Sequence, residues 1–215
     1  MIFIVPAVLE FTLTDALKRI ETLSFFPRIH LDVLDGKFVK SKVSFWPTDL
    51  SRLPVDYTYE LHLMVDDPMP WLEWVKPLPH VTTLLVHAES KVNISDVLAA
   101  GKTANKDIAV VLNPSTDPAT TLPYALTLPM LMFMGVPPGA QGQAMLPETA
   151  ERIKTFHEQN PSVRLGVDGG VNPSTIPAVV SAGAIHLVVG SAIVHAEDPQ
   201  AAYQSCVQAV QTVRQ

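Results

Sequence analysis

The chain of 215 residues contains a single cysteine, Cys206, so no internal disulfide can form, which fits a reducing cytoplasm. Charged residues make up only 17% against 47% hydrophobic, a balance that argues against disorder and for a sizeable core. Lysine and arginine number 15 against 21 acidic residues and are scattered singly. With a net charge of −6 and no basic stripe, nothing is in place to neutralise a nucleic-acid backbone. Long apolar runs are missing too: none approaches the roughly 18 to 20 residues needed to cross a bilayer. The opening "MIFIVPAVLEF" has no basic flank, is broken by Pro6 and carries Glu10, so a signal peptide is not expected there. Neither nucleic acid nor a membrane is an expected partner.

No linker or low-complexity stretch divides the chain, so one domain over residues 1–215 is expected. What fills it is alternation. Eight β-rich runs, "IFIVPAV", "RIHLDVL", "YTYELHLMV", "VTTLLVHA", "IAVVLN", "MLMFMGV", "VRLGVD" and "IHLVVG", are separated by segments with helix signals. Pro147 opens a helix with Ala150, Ile153 and Phe156 on one face, and Asn172-Pro173 opens another that ends before Gly183. Asp198-Pro199 opens the last, with Ala202, Cys206, Val210 and Val213 on one face. Strands alternating with helices imply parallel pairing through right-handed crossovers, and nearly continuous apolar strands imply burial on both faces. Eight such units predict an α/β fold, a (β/α)8 TIM barrel. The rival, an open doubly wound sheet, usually has a glycine-rich turn after its first strand, and "PAVLEFTLTDA" contains no glycine.

In such a barrel the reactive groups lie at the C-terminal ends of the strands. The polar residues there are Glu10, His30, Asp32, Asp35, His62, His87, Glu89, Asn113 and Asp168. His30 and Asp32 share one face of their strand while Leu31 and Val33 share the other. Together with His62 and Asp168 they form a mixed nitrogen and oxygen set that suits a divalent metal ion, Zn, Fe, Mn or Co. A hydrogen-bonded packing histidine is nonetheless the commoner fate of such a residue, and Asp168-Gly169-Gly170 can simply be a tight turn. Spacing alone leaves both readings open. Gly139, Gly142, Gly169, Gly170, Gly190 and Ser191 follow strands six, seven and eight, where barrels bind phosphate through backbone N–H groups. Any one of these glycines could equally just shape a turn.

The segments "HLDVLDGKFV", "ELHLMVDDP", "VHAES", "VVLNPST", "MGVPPGAQGQ", "VDGGVNPST" and "AGAIHLVVGSAIV" resemble, in order, the signatures of the ribulose-phosphate 3-epimerase family. The resemblance spans nearly the whole chain. It implies a metal-dependent barrel of the ribulose-phosphate-binding type, with the ion held by His30, Asp32, His62 and Asp168. It further implies that Asp32 and Asp168 act as acid and base on opposite faces of the substrate. The implied reaction is that of an isomerase, a 3-epimerase interconverting D-ribulose 5-phosphate and D-xylulose 5-phosphate.

Met64 and Met134 match methionines that cap the family's site, and Leu34 holds the third such position; core filling is the commoner role of methionine. His87 and Glu89 match the family's His-x-Glu and are read as hydrogen-bonding supports behind the ligands. Asp35 is expected to organise the turn at Gly36. Three departures bear on substrate choice. Glu10 stands near the position of a substrate-contacting serine in a shortened first loop, Ser41 replaces an asparagine, and Gln141 stands where the phosphate loop usually has glycine. They leave another ketose phosphate, such as allulose 6-phosphate, and a non-catalytic sugar-phosphate-binding homologue as alternatives. A lyase of the orotidylate type is disfavoured, because its Asp-x-Lys-x-x-Asp cluster is absent. Trp46, Trp71 and Trp74 would suit a partner surface in a homo-oligomer.

Overall fold

The computed structural model describes residues 1–213. Eight parallel strands close into a barrel in sequence order: β1 (Phe3–Val8), β2 (Arg28–Leu34), β3 (Thr58–Met64), β4 (Val81–His87), β5 (Asp107–Leu112), β6 (Leu131–Met134), β7 (Leu165–Asp168) and β8 (Ala184–Val189). The eight β-rich runs are its eight strands, and the (β/α)8 barrel is the fold found.

Around it lie α1 (Leu13–Glu21), α2 (Met69–Val75), α3 (Ile94–Ala104), α4 (Thr149–Gln159), α5 (Ile176–Ser181), α6 (Ser191–Val194) and α7 (Pro199–Gln211). Two crossovers lack an α-helix. Between β2 and β3 there is only a 3-10 turn over Pro47–Arg52, and between β5 and β6 only the turns Pro118–Thr121 and Ala125–Thr127. Proline explains both: Pro47 and Pro54 bracket the first, while Pro118, Pro123 and Pro129 break the second before an amide ladder can build. The helix expected from Asn172-Pro173 begins at Ile176. The Asn172 side chain accepts hydrogen bonds from the Ser174 and Thr175 amides and holds residues 172–175 in a turn instead. The helix expected from Pro147 begins at Thr149 and buries Ile153 and Phe156. Asp198 caps α7 by accepting from the amides of Gln200 and Ala201.

Strand alternation sorts the side chains into two populations. Ile29, Leu31 and Val33 of β2, with Leu61 and Leu63 of β3, are fully buried in the main apolar layer, which also takes Ile20 of α1, Leu72 of α2 and Ile153 of α4. Each such side chain contributes roughly 1.5–3 kcal/mol relative to exposure. A second, smaller cluster of Ala7, Leu85, Ala109, Val111, Met130, Met132, Met134, Val136 and Val188 fills the barrel interior. The interior is therefore apolar along β5 and β6 and at Leu85 of β4, whose C-terminal end carries the buried His87. Along β2, β3 and β8 it is polar: His30, Asp32, Glu60, His62 and His186 are all buried there.

Cys206 is fully buried, and burial pushes its thiol up to about 11. Of the three tryptophans expected on a partner surface, Trp71 is packed into the core at 8% exposure, because α2 turns Trp71, Leu72 and Val75 inward. Trp46 and Trp74 remain 62% and 50% exposed. Among the described residues, no helix is long and apolar enough to cross a membrane.

Candidate active site

The pairing of β2 with β3 sets Asp32 level with His62 and, nearer the strands' N-terminal ends, His30 level with Glu60. Asp168 ends β7 on the other side of the mouth and projects into the same space. His62 Nδ1 lies 2.9 Å from Asp32 Oδ1 and 3.1 Å from Asp168 Oδ2. His30 Nε2 lies 3.5 Å and 3.7 Å from the same two carboxylate oxygens. The four residues thus each offer one ligand atom, all within 4.8 Å of one another.

The set fits a divalent cation on two grounds. His30 Nε2 is buried without a hydrogen-bond partner, which a buried nitrogen rarely tolerates, and it faces both carboxylates. Two carboxylates held this close would also repel each other without a cation between them. In the metal-free protein the imidazoles take that role. Burial alone would lower the His30 pKa, but the Asp32 carboxylate 3.5 Å from Nε2, the hydrogen bond to Glu60 and the charge of Asp168 raise it well above 6.5. His62 is raised as well, with Asp168 and Asp32 outweighing burial. The Asp32 carboxyl, which burial would raise, is held well below 3.8 by the same two imidazoles.

Behind His62 runs a chain of contacts. His62 Nε2 is 2.9 Å from His87 Nε2, and His87 Nδ1 is 3.4 Å from Glu89 Oε2. Burial pushes His87 down to about 4, so it stays neutral and can accept the proton of His62 Nε2. Glu89 Oε1 accepts from the Asn113 amide and the Thr116 hydroxyl, which ties the chain to the loop after β5. Of the hydrogen-bonding support expected from His87 and Glu89, the structure has the His62–His87 bond, while His87 and Glu89 meet only as a 3.4 Å contact.

A cavity of about 280 Å³ opens above this four-residue cluster. Asp32, His62, Met64, Met134, Gly139, Gly142, Asp168, Gly169, Gly170, Gly190 and Ser191 all line it. His30 does not; it is sealed beneath. Glu10, expected near the substrate, is not among the lining residues either. Its Oε1 accepts from Arg19 Nε at 3.1 Å, and α1 thereby draws it to the rim. Leu34 and Ser41 also lie off the cavity.

The glycines answer to backbone geometry at two positions. Gly170 has φ +70°, and a Cβ there would lie 2.4 Å from the Met145 amide nitrogen. Gly139 has φ +106°, and a Cβ would lie 3.0 Å from Val39 Cβ, so the loops after β2 and β6 touch across the mouth. Gln141 lines the cavity while its amide spans two neighbours: Nε2 reaches the Leu9 carbonyl at 3.4 Å and Oε1 accepts from His195 at 2.8 Å.

Asp35 organises the turn at Gly36 as expected. Its Oδ1 accepts from the amides of Lys37 and Phe38, and its Oδ2 from the amide of Asp66. The turn delivers Phe38 onto His87, with ring centroids 4.6 Å apart. Burial would raise the Asp35 carboxyl, but the three amides hold it below 3.8. A lowered folded value means that this stabilisation is full above 3.8 and disappears as pH falls through the folded pKa. Asp35→Asn should therefore cost about 1 kcal/mol at pH 7, and the gap in urea midpoint between the two proteins should close under acid conditions. A gap that persists at pH 2 would show that the charge is not its source.

Sequence reasoning missed Glu60 and His186. Glu60 Oε1 lies 2.8 Å from His30 Nδ1 and 2.9 Å from His186 Nε2. The signal was present: strand alternation puts Glu60 on the same face as His62 and Met64, and His186 is the one polar residue of "AIHLVV".

The family model for ribulose-phosphate 3 epimerases matches residues 4–194. A ribulose-phosphate 3-epimerase of Helicobacter pylori strain J99 is 30% identical over 99% of this chain and 98% of its own. One from Mycobacterium leprae is 33% identical over 81% of this chain and 80% of its own. Among solved structures, 3-hexulose-6-phosphate synthase from Salmonella typhimurium superposes with a TM-score of 0.71, covering 99% of this chain and all of its own. At 18% identity that likeness is one of fold. With the motifs in order along a closed barrel and a match over nearly its whole length, the chain belongs to the ribulose-phosphate 3-epimerase family, a family of isomerases.

Proposed function

We propose that the chain is a metal-dependent 3-epimerase that interconverts D-ribulose 5-phosphate and D-xylulose 5-phosphate in the cytoplasm. The observation that carries this reading is the meeting of Asp32 and Asp168, from opposite sides of the barrel mouth, on one nitrogen of His62. Inverting a carbon beside a ketone needs a base on one face and an acid on the other. Asp32 Oδ1 and Asp168 Oδ2 point at the imidazoles, which leaves Oδ2 of Asp32 and Oδ1 of Asp168 for the proton at C3. One carboxylate takes the C3 proton and leaves an enediolate; the other, protonated, returns a proton to the opposite face. A divalent ion of Zn, Fe, Mn or Co, held by His30, Asp32, His62 and Asp168, would supply Lewis-acid stabilisation of the negative charge on the substrate oxygens.

The remaining lining residues suit a sugar phosphate. Met64 and Met134 give the cavity an apolar wall that excludes water from the carbanion. Gly139, Gly142, Gly169, Gly170, Gly190 and Ser191 ring the end over β6, β7 and β8, where bare backbone amides can approach a phosphate. Glu10 is left out of the substrate contacts because Arg19 occupies it.

The test is incubation of metal-loaded protein with ribulose 5-phosphate in heavy water. Deuterium at C3 together with xylulose 5-phosphate is the expected result. Absence of exchange with every ketose phosphate tried, allulose 6-phosphate included, would overturn the reading.

A further inference from the structure

We propose that Glu60, braced by His186, is the positioning residue that sets how tightly the metal is held, by fixing the ring of His30. The inference rests on the metal site proposed above and assigns two residues beyond its ligands.

All three side chains are buried inside the barrel, Glu60 and His30 at 1% and 0% exposure and His186 at 3%. A carboxylate in such a place needs donors, and Glu60 has two on a single oxygen. A carboxylate oxygen that meets two imidazole nitrogens accepts from both, so the proton of His30 lies on Nδ1 and that of His186 on Nε2. A neutral His30 then has its lone pair on Nε2, the atom that faces Asp32 and Asp168 with no partner of its own. Glu60 therefore selects the tautomer that can ligate, fixes the plane of the ring and makes the ligating nitrogen more basic.

His186 does the same service one step further back. It stands on β8 level with Phe3 of β1 and Gly166 of β7, well below the mouth, and it does not line the cavity. Gly166 is part of the arrangement, because a Cβ there would lie 3.1 Å from the His186 carbonyl oxygen and 2.9 Å from Met132. A hydrogen-bonded polar column of His186, Glu60 and His30 is a departure from the branched apolar residues that ordinarily fill a barrel interior. Its upper end is the metal cluster. Its lower end meets no substrate, so its role is exerted through His30 alone.

The experiment measures the dissociation constant for Zn²⁺ by competition with a chromogenic chelator, with no substrate present. Glu60→Gln keeps the shape and is expected to weaken Zn²⁺ by about 10–100-fold. His186→Leu is expected to weaken it less, and His186→Gln, which restores an N–H donor toward Glu60, to recover most of that loss. A purely space-filling role predicts the opposite order for the two His186 variants. If wild-type protein binds Zn²⁺ and Glu60→Gln binds it within twofold of wild type, the positioning role is refuted while the metal site stands. If wild-type protein binds no divalent ion, it is the metal site itself that fails. Far-ultraviolet circular dichroism of each metal-free variant confirms that the barrel is intact before affinities are compared.

Discussion

Asp168→Asn should lower epimerisation by about 10²–10⁴-fold and leave the barrel folded. Asp168 closes β7, and its backbone pairing with Met134 and Val188 does not depend on the side chain. Asparagine has nearly the same volume, so the cavity keeps its shape. It cannot take a proton at neutral pH, and its neutral oxygen is a weaker ligand for a cation. The residual chemistry is informative. With Asp32 still present, one epimer can lose its C3 proton slowly and exchange it with heavy water, while conversion to the other epimer stops. Asp32→Asn should show the same one-sided exchange for the other epimer. Mass spectrometry of each recovered sugar phosphate reads both outcomes. A variant that still interconverts the epimers at an undiminished rate would remove Asp168 from the reaction.

Stripping the ion with a chelator should abolish activity and lower the melting temperature, and Zn, Fe, Mn or Co should restore both. An ion present at about a thousand times its dissociation constant stabilises the fold by roughly 4 kcal/mol. At about 2–4 °C per kcal/mol for a chain of this size, the shift is on the order of 8–16 °C. The shift should also depend on pH. His30 and His62 have raised pKa values in the metal-free protein. Their contribution to the metal-free fold is therefore full below the unfolded histidine value of about 6.5 and fades as pH rises through the folded values. An ion must displace those protons in acid and replaces a lost cation in base, so its stabilising increment should be larger at pH 8 than at pH 6. Equal melting temperatures with and without each of the four ions, at both pH values, would exclude a metal at this cluster.

The barrel was legible because its signal is repeated. Each strand carries its own apolar run, and the eight runs locate β1 to β8 without knowledge of how they pair. The proline-bracketed crossovers around Pro47 and Pro118 were not distinguished from helices, because the alternation argument counts connections rather than what fills them. The convergence of His30, Asp32, His62 and Asp168 was legible from strand-end position plus family likeness. Charge partners were not. Glu10 sits at a strand end like the others, but Arg19 lies nine residues on, inside α1, and only the folded path of α1 brings the two together. Glu60 failed to stand out for the converse reason. It lies below the strand ends where reactive groups are sought, and its meaning depends on a histidine 126 positions later.

The uneven interior of the barrel has a mechanical consequence. Across from the hydrogen-bonded wall of His30, Glu60 and His186 stand Met132 and Met134 of β6, with Met130 just before it, and Met132 reaches into the gap that Gly166 leaves open. Unbranched thioether chains change rotamer at little cost, whereas branched residues at those places would resist. A volume change at the proposed cation site would be absorbed by these methionines before it reached the strands. β6 would then be the yielding side of a barrel whose opposite side is cross-linked by hydrogen bonds.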